Sequence, residues 1–374
     1  MPERGTYGQP WLDHTLETEH FAITWAEGQG SERAATKAGE ALEAAWVELV
    51  DAQGWTPPVS SDDYLLWAIL DPTLGGTGLT TEYTTSDFPQ GYPVIYLNPD
   101  NSNNPTFWTH LSAHEFAHAL QYAERDDYSG AGSEAWYWEA SAEWQVEQAL
   151  PEVDDYARQT EYYASQPWYR FDSMDGWHQY GMVALNAWLE EQWGPTGLQE
   201  LWADSGDGAD WVELIEAHSG LDEAEVWGGF TAAYAAEALR ESPLYTPVLV
   251  DGDLVDGQSG AVARLGTDYF AATEETAVRA SGQVVLSGPW GLGEVINVAP
   301  GELVGVTGLS ESPAAYTLSF EALIQPGDSG DSGLDSAPLD SEEPGPRGCG
   351  CASSSSAASS LLLLLGLLGL IRRR

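Results

Sequence analysis

Basic residues are scarce in this chain. Lys37 is the only lysine, and 13 basic side chains face 59 acidic ones, for a formal net charge of −46 over 374 residues. Such a surface repels nucleic acid and anionic membranes, because phosphate binding needs clustered Lys and Arg. No nucleic-acid partner is therefore expected. Cysteine is scarcer still. Cys349 and Cys351 are the only two, so no disulfide can staple the chain upstream of them. With one residue between them, a bridge would be strained, and a processing or anchoring role fits them better. The first residues lack the apolar core of a signal peptide, so a start upstream of Met1 is expected. Long apolar runs are also missing until residues 361–371, which are almost all leucine and end in Arg372, Arg373 and Arg374. Residues 357–371 are short of the roughly 20 that span a bilayer. The closing arginines obey the positive-inside rule, with the bulk of the chain outside. Membrane contact is expected only through this segment, before processing.

What is present suffices for real cores: 43% of residues are hydrophobic and 17 are tryptophan. The length predicts about two domains plus appendages. Residues 18–25 alternate and read as a strand. Residues 31–53 carry apolar side chains at helical spacing, with Ser31 suited to the start. Residues 64–70 read as a buried strand and 71–91 as a Gly/Thr loop. Residues 92–97 read as a strand that Pro93 marks as an edge. Helices follow over 106–125, 134–150, 180–192, 196–203 and 209–240, the last broken at Ser219-Gly220. From 245 to 322, short Val/Thr/Tyr runs alternate with Gly-rich turns, as in a small all-β sandwich. The expected class is α+β, with domain boundaries at 1–244, 245–323, 324–347 and 348–374. Six acids among Gly, Ser and Pro over 326–346 describe a disordered stalk. The chain is expected to be a monomer.

Residues 114–118 read His-Glu-Phe-Ala-His. On a helix, positions i and i+4 share one face, so His114 and His118 can reach one tetrahedral zinc ion. Glu115 lies beside the first ligand, where it reaches the attacking water rather than the metal. A catalytic zinc site needs a third protein ligand and an open position. Glu139, 21 residues after His118 in Trp138-Glu139-Ala140-Ser141-Ala142-Glu143-Trp144, is the preferred candidate and Glu143 the alternative. A helical hairpin through a loop at 126–133 would bring them to the histidines. If Glu139 is the ligand, Glu143 can accept the ring N–H of a ligating histidine and fix its tautomer. His110, one turn before His114, reads as a surface or packing residue. Trp290, in a Gly-rich turn, reads as structural rather than as a sugar platform.

His114-Glu115-x-x-His118, a glutamate about 20 residues later and an acid four residues beyond it resemble the gluzincins, the thermolysin-like zinc peptidases. The resemblance implies Glu139 as third ligand and Glu143 behind it. The segments TEHFAITW, YPVIYLNPD and WEASAEW are similar to those of secreted myxobacterial metallopeptidases, over roughly residues 15–240. The tail, with Gly348-Cys349-Gly350-Cys351, a Ser-rich spacer, a leucine run and arginines, resembles the myxobacterial C-terminal sorting signal. It implies export, with processing at Cys349 or Cys351, to the outer surface or the medium. The family further implies substrate pairing with an edge strand before the metal helix, which places Tyr92, Val94 and Tyr96 as substrate-binding. The implied fold is a thermolysin-like catalytic domain followed by the β sandwich and tail.

The implied reaction is zinc-assisted hydrolysis of a peptide or protein with Glu115 as general base. Tyr180 or His178, in GWHQYGMVALNAWL, would donate to the oxyanion. Two other functions compete. A surface-displayed binding protein would use the tryptophans and the β domain, with a structural or inactive zinc site. A zinc hydrolase could also act on a non-peptide amide. Glu115 discriminates against the first, since a structural site has no use for a carboxylate between its histidines.

Overall fold

The computed structural model describes residues 5–6, 12–59, 61–83, 91–125, 135–153, 155–206, 210–240 and 242–323. The loop expected at 126–133, Cys349, Cys351 and the leucine run lie outside the described residues. The chain divides into two compact units, Met1–Asp328 and Ser329–Arg374, and the second is not among the described residues.

The first sheet comprises β1 (Gly5–Thr6), β2 (His14–Glu17), β3 (Phe21–Trp25), β4 (Tyr64–Leu70), β5 (Gly78–Glu82) and β6 (Pro93–Leu97). Their order is β2-β3-β4-β6-β5, with β1 also pairing to β4. The strand expected over 18–25 starts later, because Thr18 N–H donates to the Phe21 carbonyl (2.9 Å) and turns the chain between β2 and β3. The central strands β3, β4 and β6 run parallel. Their FAITW, YLLWAIL and PVIYL sequences are buried at consecutive positions, as in a sheet covered on both faces.

The edge assignment for residues 92–97 is corrected. β6 lies between β4 and β5, paired on both sides. Pro93 is its first residue, where proline is tolerated even in an inner strand. The edge is β5, formed from the Gly/Thr segment expected to be loop. Its GLTTE sequence has too few large apolar residues to signal a strand.

Nine helices are described: α1 (Glu32–Ala45), α2 (Pro105–Arg125), α3 (Ala135–Ala149), α4 (Asp155–Ala164), α5 (His178–Gly181), α6 (Val183–Trp193), α7 (Gly197–Asp204), α8 (Trp211–Ser219) and α9 (Glu223–Ala235). Ser31 caps α1, accepting from Ala34 N–H at 3.1 Å, and α1 continues as a π-helical stretch, Trp46–Ala52. Gly220, in the left-handed conformation, ends α8. Asp222 and Glu225 form a reciprocal capping box that starts α9. No helix among the described residues is long and apolar enough to cross a membrane.

Nine more strands follow: β7 (Gly252–Asp253), β8 (Ser259–Val262), β9 (Thr267–Ala271), β10 (Thr276–Ser281), β11 (Val284–Gly288), β12 (Gly291–Gly293), β13 (Val295–Val298), β14 (Leu303–Gly308) and β15 (Ala314–Glu321). They make two sheets, β13-β10-β15-β8 and β12-β11-β14-β9-β7. Phe270, Val278, Leu286, Ile296, Val306 and Leu318 form one core between them. The other face of the five-stranded sheet rests on α9, where Thr231 Oγ1 meets Ser287 Oγ at 3.2 Å and Thr307 Oγ1 at 3.4 Å. Leu265 and Tyr269 belong to the core of the helical part. The segments on either side of residue 244 thus share one compact unit. The architecture is mixed α+β with several sheets.

Candidate metal centre

Helix α2 crosses under the first sheet and carries His110, His114 and His118 one turn apart on one face, with α3 alongside carrying Glu139 and Glu143. His114 Nε2 lies 3.1 Å from Glu139 Oε2, and His118 Nε2 lies 3.6 Å from the same oxygen. The three side chains offer ligand atoms within 4.8 Å of one another. Glu143 occupies the other side of His114, 3.0 Å from Nδ1, and also meets His110 Nε2 at 3.0 Å. The spacing of four residues between the two glutamates therefore separates their surroundings. Glu139 shares the free side of both histidines, and Glu143 lies behind His114. Of the two roles read for His110, surface and packing, the surface one is corrected. The residue is buried against Glu143 and lines the same cavity.

The tautomers follow from the partners. His118 Nδ1 lies 2.8 Å from Gln121 Oε1. The Gln121 amide nitrogen donates to the Trp138 carbonyl (3.1 Å) and Ser141 Oγ (3.0 Å), so its oxygen faces the histidine. His118 thus donates from Nδ1, and Nε2 is the nitrogen that faces Glu139. Glu143 Oε1, 3.0 Å from His114 Nδ1, favours a proton on that nitrogen by charge. Carboxylate or amide acceptors behind imidazoles orient metal-binding histidines in this way. The donor set suits zinc, which takes imidazole nitrogen and carboxylate oxygen.

Charge points the same way. Burial disfavours the Glu139 carboxylate, but hydrogen bonds from His114 and His118 outweigh it and hold Glu139 well below the usual range. Burial likewise raises Glu143, and His110 and His114 bring it down to about 2. In turn, burial works against the charged imidazoles, but Glu139 and Glu143 hold His114 well above its ordinary value, and Glu139 raises His118. Glu115 is raised, mainly by burial, with His118, His114 and Thr80 pulling the other way. Three carboxylates converge on these histidines, and buried charges persist when paired or metal-bound.

Glu115 is held from the sheet. Thr80 Oγ1 lies 2.6 Å from its main-chain carbonyl and 2.8 Å from Oε2. A Cβ on Gly78 would overlap the Glu115 carboxylate, so glycine is required for β5 to come this close. Both residues fall in the segment read as a loop, where neither stands out as a site residue. Gln121 was legible only as a polar residue one turn after His118.

These groups face a cavity of about 600 Å³. Edge strand β5 lines one side, and Tyr162, Trp177 and Tyr180 line another. The Tyr180 ring lies 6.1 Å from that of His114. Its phenol is strongly raised by burial and then by Glu139, Glu143 and Glu115. His178 is corrected as an oxyanion candidate, because it does not line the cavity. Its buried ring packs against Tyr163 and Tyr169, each at 6.0 Å, and burial lowers its pKa. The substrate-binding assignment of Tyr92, Val94 and Tyr96 is corrected with the edge. Tyr92 and Val94 are buried, the Tyr92 hydroxyl donates to the Leu65 carbonyl, and none of the three lines the cavity. Trp290 is 77% exposed, with Nε1 donating to Glu302 Oε1 at 2.7 Å.

Fold and site together define a mixed α+β protein with a His/Glu group fit for a metal. Residues 8–235 match the model of a family of unknown function, DUF6055, and the chain belongs to that family. No curated protein matches it.

Proposed function

We propose that this chain is a zinc metallopeptidase of the gluzincin type, secreted or held at the outer cell surface, that cleaves peptide or protein substrates. One observation carries the proposal. A non-ligand carboxylate, Glu115, is fixed by Thr80 beside the His114–His118–Glu139 group at the wall of an open cavity. A purely structural metal site needs no such carboxylate.

His114 and His118, through Nε2, and Glu139 would hold the zinc, with Glu143 and Gln121 orienting the two imidazoles. When bound, zinc lowers the pKa of a coordinated water to about 7 and polarises the substrate carbonyl. Glu115 takes the proton of the attacking water and passes it to the leaving amine, a role for which burial raises its basicity. Tyr180 donates its hydroxyl to the developing oxyanion. The substrate backbone adds to the outer edge of β5, whose main-chain groups on that side pair with no strand among the described residues, and its side chains reach the aromatic wall.

Chelation tests this. Treating the purified chain with 1,10-phenanthroline should abolish cleavage of denatured casein, and one equivalent of zinc should restore it. Cleavage that survives complete metal removal would rule zinc out of the reaction.

A further inference from the structure

The family match ends at residue 235, at the close of α9, so the β sandwich lies outside it. The sandwich carries none of the proposed chemistry, yet it grips the helical part beside the cavity. Tyr269 on β9 sends its hydroxyl into that part, 3.1 Å from the Tyr163 hydroxyl of α4 and 3.2 Å from the Thr231 carbonyl of α9. Next to it on β9, Thr267 N–H donates to the Pro167 carbonyl at 2.7 Å. The segment entering the sandwich adds two more bonds to α4, Thr246 N–H to Thr160 Oγ1 (3.0 Å) and Leu249 N–H to the Ala164 carbonyl (2.7 Å).

Helix α5 packs on α4 and on α3. A Cβ at Gly181 would overlap the Tyr163 backbone nitrogen, so the two helices touch main chain to main chain at the residue after Tyr180. Tyr162, on the same turn of α4, lines the cavity and stacks on Trp177 at 5.2 Å. A short helix such as α5, with four residues, cannot hold its own position, since helices of that length gain their order from packing. Tyr163 and Tyr269 are both fully buried, so the bond between them is neither screened nor replaced by water.

We infer that the β sandwich is a buttress for the cavity wall. Tyr269, through Tyr163 and the Tyr163–Gly181 contact, is a positioning residue that sets where the Tyr180 hydroxyl points. The inference rests on the peptidase reading for its kinetic consequence, and on packing alone for its structural one. Placement matters to this degree because an ångström of misplacement at a reacting group can lower rate by about 10²-fold.

Tyr269→Phe and Tyr163→Phe each remove one hydroxyl and so break the Tyr163–Tyr269 bond while keeping ring volume, and either serves if the other folds poorly. Hydrogen exchange on the full chain is the readout that needs no catalysis. Peptides covering residues 162–182 should exchange about tenfold faster in either variant, with α2 unchanged. In kinetics, kcat on a peptide should fall about tenfold, with KM and zinc content unchanged. In a Tyr180→Phe background the same substitution should change kcat less than about twofold, because residues acting through one another are not additive. Unchanged exchange at 162–182, exchange that rises equally in α2, or equal kcat losses in both backgrounds would each overturn the buttress. Should the wild type cleave nothing with zinc bound, the peptidase reading falls, and the exchange result still decides the buttress.

Discussion

Glu115→Gln should lower kcat by about 10³-fold or more, the upper part of the range for removing a general base, while zinc content stays at the wild-type level. That loss equals about 4 kcal/mol of transition-state stabilisation. Glutamine keeps the shape of the side chain, and the Thr80 hydroxyl can still donate its one proton to the main-chain carbonyl of residue 115 or to the glutamine oxygen. What glutamine cannot do is take a proton. The substitution also removes a charge from a buried position, so folding should not suffer. Metal analysis and steady-state kinetics on the same preparation check this. A variant that keeps its zinc and loses less than about tenfold in rate would remove Glu115 as the base.

Tyr180→Phe should lower kcat by about 10²- to 10³-fold, the effect of removing one oxyanion donor, with KM and zinc content unchanged. A group that bonds only the transition state shows itself in kcat rather than in substrate binding. The phenol faces the cavity beside His114, and the nearby carboxylates keep it protonated and able to donate. His178→Asn is the contrast. His178 packs among Tyr163 and Tyr169 outside the cavity, so its loss should lower stability more than kcat. A kcat that drops for His178→Asn and holds for Tyr180→Phe would reverse the two roles.

Much of the fold and the centre of the site could be read directly. The His-Glu-x-x-His spacing fixes one face of one helix, and a glutamate in a Trp-rich helix has few partners other than a cation. Both belong to local patterns, where the 3.6-residue period carries the information. The misreadings are where long-range packing decides. Pro93 marks the start of an inner strand as readily as an edge, and only the pairing of β5 tells which. Gly78 and Thr80 look like loop residues because their purpose is to let a strand approach Glu115, not to bury apolar surface. His178 and Tyr180 differ by two positions in sequence, and the packing of α4 against Gly181 sends one inward and the other to the cavity. Helix α4 escaped because DYARQTEYYA mixes polar and aromatic residues, and its buried face is set by packing on α5 and α6, with Tyr163 reaching Tyr269 of the sandwich. Gln121 and His110 gain meaning only through His118 and Glu143.

The most direct measurement is elemental analysis of the purified full-length chain beside Glu139→Ala, both shown to be folded by circular dichroism. One zinc per wild-type chain is expected, with less than about a tenth of that in the variant, because the site built on His114, His118 and Glu139 loses its third ligand and the neighbouring His110–His114–Glu143 group is not the one assigned to zinc. A folded wild type that binds no zinc, or a Glu139→Ala chain that keeps its full complement, would contradict the metal centre described here.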